Sequence, residues 1–149
     1  MSTTPIEAHF EETHEVRNQV PEFGPCDLWA TDAVLREAVT REGAVAFAAH
    51  LGGYGRLAGD ALYRLSWDAH RDRPRLRTHD RFGKRIDRVE FHPAYHEIMG
   101  AAICGGVAGL SWATQAWQLP EARAHVARAA LRYLHHQVEP GSSCPLTMT

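Results

Sequence analysis

The chain has 149 residues, a formal net charge of -2 and a pI near 6.5. A single domain of that length hides about 68–70% of its unfolded surface and needs no disulfide or metal staple. With 44% hydrophobic and 23% charged residues, it is neither a disordered chain nor a globally basic nucleic-acid binder.

Residues 1–27 are polar, contain three prolines and read as an extended arm; the helical domain is expected over 28–149. Nothing at Met1-Ser2-Thr3-Thr4-Pro5 has the pattern of a secretory leader. The first helix is predicted from Thr31, whose hydroxyl suits an N-cap, with Asp32 complementing the helix dipole. Val34, Leu35, Ala38 and Val39 then share one face, and Gly43 interrupts. A short apolar piece over 44–51 stops at Gly52-Gly53. A second amphipathic helix is predicted over 54–69, with Leu57, Ala58, Ala61, Leu62 and Leu65 inward.

Pro74 ends helical character, and a β-hairpin is predicted over 76–91 about the turn Asp80-Arg81-Phe82-Gly83. Pro93 suits the first turn of a helix running toward Leu110, apolar on most sides and so expected to be central. The uncharged apolar run 98–113 is shorter than the roughly 20 residues of a membrane span, so no membrane partner is expected. Gly100, Gly105, Gly106 and Gly109 are expected to allow close packing. Pro120 is expected to start a further helix with Ala122, Val126, Ala129, Ala130, Tyr133 and Leu134 buried, closed by Pro140-Gly141. Ser143 and Pro145 read as the cap and first turn of one more helix. One turn cannot repay helix nucleation, so the domain is expected to be truncated there.

Few residues suggest chemistry. Cys26, Cys104 and Cys144 form no CxxC pair and read as reduced thiols of a cytoplasmic protein. His92 and His96 share the i, i+4 spacing of a zinc pair, but Pro93 stands where a metalloprotease has its Glu and no third ligand is evident. No metal site is therefore assigned; the two are expected to cap and pack the hairpin–helix junction. His135 and His136 suit a helix C-terminus and point apart, which excludes a joint site. Gly52-Gly53-Tyr54-Gly55 lacks dinucleotide spacing, and no nucleophile elbow supports a triad. Eight of the sixteen basic residues fall within 71–88 and leave that stretch at +5 once Asp72, Asp80 and Asp87 are counted. Arg81, Arg85 and Arg88 are the candidate nucleic-acid contacts. A solvated hairpin facing the acidic first 50 residues or a neighbouring subunit is the plainer use of the same charges.

Three stretches together resemble a known family. The first is Thr13-His14-Glu15-Val16-Arg17-Asn18-Gln19 with Pro21. The second is 76–96, ending in Glu90-Phe91-His92-Pro93-Ala94-Tyr95-His96. The third joins Ala124-His125-Val126-Ala127-Arg128-Ala129-Ala130 to Gln137-Val138-Glu139, Gly141 and Cys144-Pro145-Leu146-Thr147-Met148-Thr149. Their order and spacing resemble the N-terminal part of AidB-like proteins, acyl-CoA dehydrogenase relatives of the bacterial adaptive response to DNA alkylation. The likeness is weakest over 44–70, and Pro140 departs from the small residue expected.

The resemblance implies a mainly α fold: an acyl-CoA dehydrogenase N-terminal helical domain with a small β-hairpin. It also implies a parent with a central β-domain, a C-terminal helical bundle holding FAD, a homotetramer, α,β-dehydrogenation of an acyl-CoA and association with DNA. The family's flavin signature, Met-Thr-Glu leading into Gly-Gly-Ser-Asp, has no counterpart here; Met148-Thr149 corresponds to an earlier helix. No catalytic or cofactor-binding residue carries over, and the fragment alone is expected to be inactive and free of FAD. The competing reading is a stand-alone helical DNA-binding or interaction module built on the 71–88 arginines.

Overall fold

Carboxylates start the helical part of the molecule. In a computed structural model that describes residues 17–148, Asp27 Oδ1 accepts the amides of Trp29 and Ala30 and opens α1 (Leu28–Thr31). Asp32 Oδ1 accepts Leu35 N and opens α2 (Ala33–Arg41). The expected Thr31 cap is thus corrected: its hydroxyl donates to Asp27 O, and the carboxylates, stronger acceptors of orphan amides, take both caps. Thr13, His14, Glu15 and Val16, and most of the expected arm, lie outside the described residues; 17–27 carry no helix or strand. On α2 only Val39 is fully buried, and Val34 faces solvent. Gly43, at φ +75°, follows the helix end.

A single 3-10 turn, Val45–Phe47, leads into α3 (Ala48–Leu57), which continues through a π turn, Ala58–Leu62, into α4 (Tyr63–Arg71). The expected stop at Gly52-Gly53 does not occur. Gly55 and Gly59 let other segments approach: a Cβ on Gly55 would lie 2.6 Å from the Trp29 side chain, and one on Gly59 only 1.8 Å from Cys26 O. The backbones meet there, with Cys26 N donating to Gly59 O at 2.9 Å. The π turn adds a residue and shifts the buried stripe. Leu57 and Ala61 point outward, while Ala58, Leu62, Tyr63 and Ser66 face in.

The predicted hairpin is present as β1 (Arg75–His79) and β2 (Arg85–Glu90), antiparallel, with Leu76 opposite Val89 and Arg77 opposite Arg88. Asp80 Oδ1 holds its turn by accepting Phe82 N and Lys84 N, and Gly83 supplies φ +82°. His92 caps α5 (Pro93–Cys104), with Pro93 in the first turn as expected. That helix stops at Cys104, short of Leu110, because Gly106 turns left-handed at φ +87°. It is not central: it buries one face through Ala94, Ile98 and Ala102 and leaves Ile103 exposed. Of the four glycines expected to allow close packing, Gly105 meets the Tyr54 ring and Gly106 meets Leu110, whereas a Cβ on Gly100 would meet nothing.

After a 3-10 turn, Thr114–Trp117, α6 spans Ala124–His136 and begins four residues beyond Pro120. Its buried residues are Ala124, Ala127, Ala130, Leu131, Leu134 and His135, so the predicted stripe is off by about one position. Ala122 precedes the helix, and Ala129 and Tyr133 are exposed. Pro140 opens α7 (Pro140–Thr147) instead of closing α6. The N-cap of α7 is Glu139, not Ser143, which is buried inside the helix. The core gathers Phe47 and Leu51, Leu62 from the π turn, Ile98 from α5, Leu110 and the α6 stripe. α1 and α6 pack on α3, α5 packs on α4, and α7 lies across α5 and α6. Among the described residues no helix is long and apolar enough to cross a membrane.

Candidate functional site

A cavity of about 450 Å³ opens where the end of α4, the root of the hairpin and the starts of α5 and α7 converge. His70 and Arg73 enter from the α4 side, Phe91 and Tyr95 stack at 4.4 Å on another wall, and Glu139 forms the floor. Glu139 is 4% exposed, yet its carboxylate is engaged: Oε1 accepts Gly141 N and Oε2 accepts Ser142 N. His70 Nε2 stands 3.7 Å from Oε1. Burial, and then the Glu139 charge, push the Tyr95 phenol above its usual range, so Tyr95 stays a neutral hydroxyl. His92 uses Nδ1 to accept Ala94 N at 3.2 Å, which makes Nε2 its donor nitrogen.

A second polar group is sealed in the core. Tyr54 O–H, His135 and Ser142 form a chain, with 2.8 Å from Tyr54 Oη to His135 Nδ1 and 2.9 Å from Nε2 to Ser142 Oγ. Burial pushes the Tyr54 phenol up and lowers His135 to about 4. Both are therefore neutral near pH 7. Only one proton arrangement satisfies every group: Tyr54 donates to Nδ1, Nε2 donates to Ser142, and Ser142 donates to Glu139 O at 3.3 Å. The expectation that His135 complements a helix dipole is corrected, since a neutral ring supplies no charge. His136 instead meets Ser143 Oγ through Nδ1, at 2.6 Å.

The helix starts differ in how their first amides are used. Free amides at a helix start are one device for holding a phosphate. The starts of α1, α2, α5 and α7 are taken by Asp27, Asp32, His92 and Glu139, whereas α6 begins after Arg123 with no side-chain cap. No three metal-ligating side chains cluster among the described residues, and His92 and His96 fall at the junction and on α5. Cys26 is half-buried, and Cys104 and Cys144 are exposed free thiols.

The arginines named from sequence all lie on the hairpin. Arg85 is ion-paired with Asp87 at 2.7 Å, and the Arg81 guanidinium sits 4.4 Å over the Phe82 ring. Arg88 stands opposite Arg77, which is paired with Glu90 at 2.9 Å. Arg71 and Arg75 are held by Asp68 and Asp72. The cavity and the Tyr54–His135–Ser142 chain were not predicted from sequence. Their one sequence signal was a polar residue inside an apolar helical stripe.

Residues 18–149 match the family described as the adaptive response protein AidB N-terminal domain. The chain is 42% identical over 139 residues to AidB of Escherichia coli (strain K12), a protein that bears the name of an acyl-CoA dehydrogenase. That match covers 93% of this chain but 25% of the relative. The fold is similar to that of Caenorhabditis elegans ACDH-11, solved in complex with C11-CoA, with a TM-score of 0.72 at 21% identity. There too the likeness covers 97% of this chain and 25% of the other. The chain thus spans about a quarter of the length of each.

Proposed function

The chain belongs to the AidB N-terminal domain family, and from that premise we propose that it is the N-terminal helical quarter of a larger acyl-CoA dehydrogenase-like flavoprotein of the DNA alkylation response. In that parent the reaction is α,β-dehydrogenation of an acyl-CoA, and FAD supplies the electron acceptor. This quarter contributes packing and subunit contacts within a cytoplasmic homotetramer that associates with DNA, with residues 1–27 as an arm and 28–149 as the helical domain. The observation that carries the reading is the pairing of near-complete coverage of this chain with quarter coverage of its relatives. The C11-CoA of the ACDH-11 structure supports an acyl-CoA as the substrate class.

The test is a chimera in which residues 18–149 replace the matching quarter of the Escherichia coli relative, purified beside the unaltered relative. The expected result is equal flavin absorbance per chain and equal acyl-CoA-dependent bleaching of that absorbance. A folded but colourless chimera beside a yellow relative overturns the reading. So does stoichiometric flavin on the 149-residue chain alone.

A further inference from the structure

The hairpin is amphipathic, yet its apolar face stays exposed among the described residues. Leu76 and Val89 face each other across the ladder, and Thr78 shares their face by alternation. His79 pairs with Arg85, so Ile86 falls on the opposite side, with Leu76. Every residue of β1 is exposed, as is every residue of β2 except Glu90. Leu76 is 62%, Val89 49% and Ile86 41% exposed, and Phe82 at the tip 78%. The other face carries Arg75, Arg77, Arg85 and Arg88, three of them already paired within the chain. What this ribbon lacks is apolar cover more than counter-charge. A two-stranded hairpin without such cover is marginal in water.

We propose that the Leu76–Ile86–Val89 face docks on an apolar surface of the larger polypeptide outside residues 1–149, and that this contact orders the hairpin. The inference rests on the function proposed above. The two relatives carry about three quarters of their length beyond the part matched here, which supplies the surface. A second copy of this chain is disfavoured because it would bring two arginine-rich ribbons together. A phosphate backbone is disfavoured because Arg75, Arg77 and Arg85 are engaged by Asp72, Glu90 and Asp87.

Hydrogen exchange on the 149-residue chain and on the chimera tests this. Amides of 75–79 and 85–90 are expected to exchange at the earliest time point in the chain alone, and at least ~100-fold more slowly in the chimera. The double variant Leu76→Glu/Val89→Glu is expected to leave the melting of the chain alone unchanged and to abolish that protection. Val89→Ile retains it. Fast hairpin exchange in a folded, yellow chimera overturns this inference and leaves the proposed function standing. A colourless chimera removes both. Protection in the chain alone that grows with concentration, or appears only with duplex DNA, assigns the face to a second copy or to nucleic acid and overturns the proposal.

Discussion

His135 shows how one side chain ties pH to stability. The folded protein holds it at about 4, against an ordinary 6.5, because burial disfavours the imidazolium. Between those values the unfolded chain binds a proton that the folded chain refuses. Stability from this group is therefore complete above pH 6.5 and falls as pH drops toward 4, by about 3 kcal/mol in all. His135→Gln keeps one acceptor and one donor but does not titrate. Urea unfolding of the two proteins from pH 4 to 7 is expected to give a visibly flatter slope for the variant; equal slopes would refute a neutral buried ring. The glycines make a second residue-scale contrast. Gly59→Ala drives a methyl into Cys26 O and is expected to cost about 1–3 kcal/mol or more. Gly53→Ala, with nothing within 4 Å, is expected to stabilise α3 by about 0.5–1 kcal/mol. Reversal of that order in chemical denaturation would contradict the Gly59–Cys26 contact. In the sequence all these glycines look alike, because the segment each one meets is distant along the chain.

At the scale of elements, local chemistry was the legible part. The hairpin, its Asp80 turn and the Pro93 start of α5 were readable because each is decided within a few residues. Phase was harder to read. A 3.6-residue period puts Leu57 and Tyr133 inward, but the π turn and the one-position offset on α6 depend on what packs across the interface. Caps are ambiguous in the sequence where two acceptors compete. Thr31 and Ser143 are ordinary cap residues, but Asp27, Asp32 and Glu139 stand nearby and carry charge. Asp32→Ala is therefore expected to lower stability by about 1 kcal/mol, since Leu35 N loses its acceptor. Thr31→Ala should change it by less than half as much, because only an exposed bond to Asp27 O is lost. Denaturant midpoints measured side by side decide the matter, and a larger loss at Thr31 would restore it as the cap.

For the whole molecule, the sequence alone places one local cluster, the arginines of the hairpin. The cavity over Glu139 joins residues from 70 to 141 and needed the tertiary fold to bring them together. The same fold leaves an apolar groove of about 210 Å³ between α2 and α6, lined by Leu35, Val126, Ala129 and Tyr133, with Val34 exposed on α2. A monomer rarely leaves such surface uncovered alongside exposed Trp67, Ile103 and Trp112. The 149-residue chain on its own is therefore expected to associate as its concentration rises, most strongly near pH 6.5, where net charge no longer keeps copies apart. Val34 and Ala129 already contact solvent, so Val34→Glu with Ala129→Glu disturbs no core packing. Sedimentation velocity is expected to show the wild-type weight-average coefficient climbing with concentration and the variant's staying flat, at equal melting temperatures. A wild-type chain that stays monomeric throughout would mean that its exposed apolar faces are too scattered to act as a surface, and that cohesion with the rest of a parent must come from elsewhere.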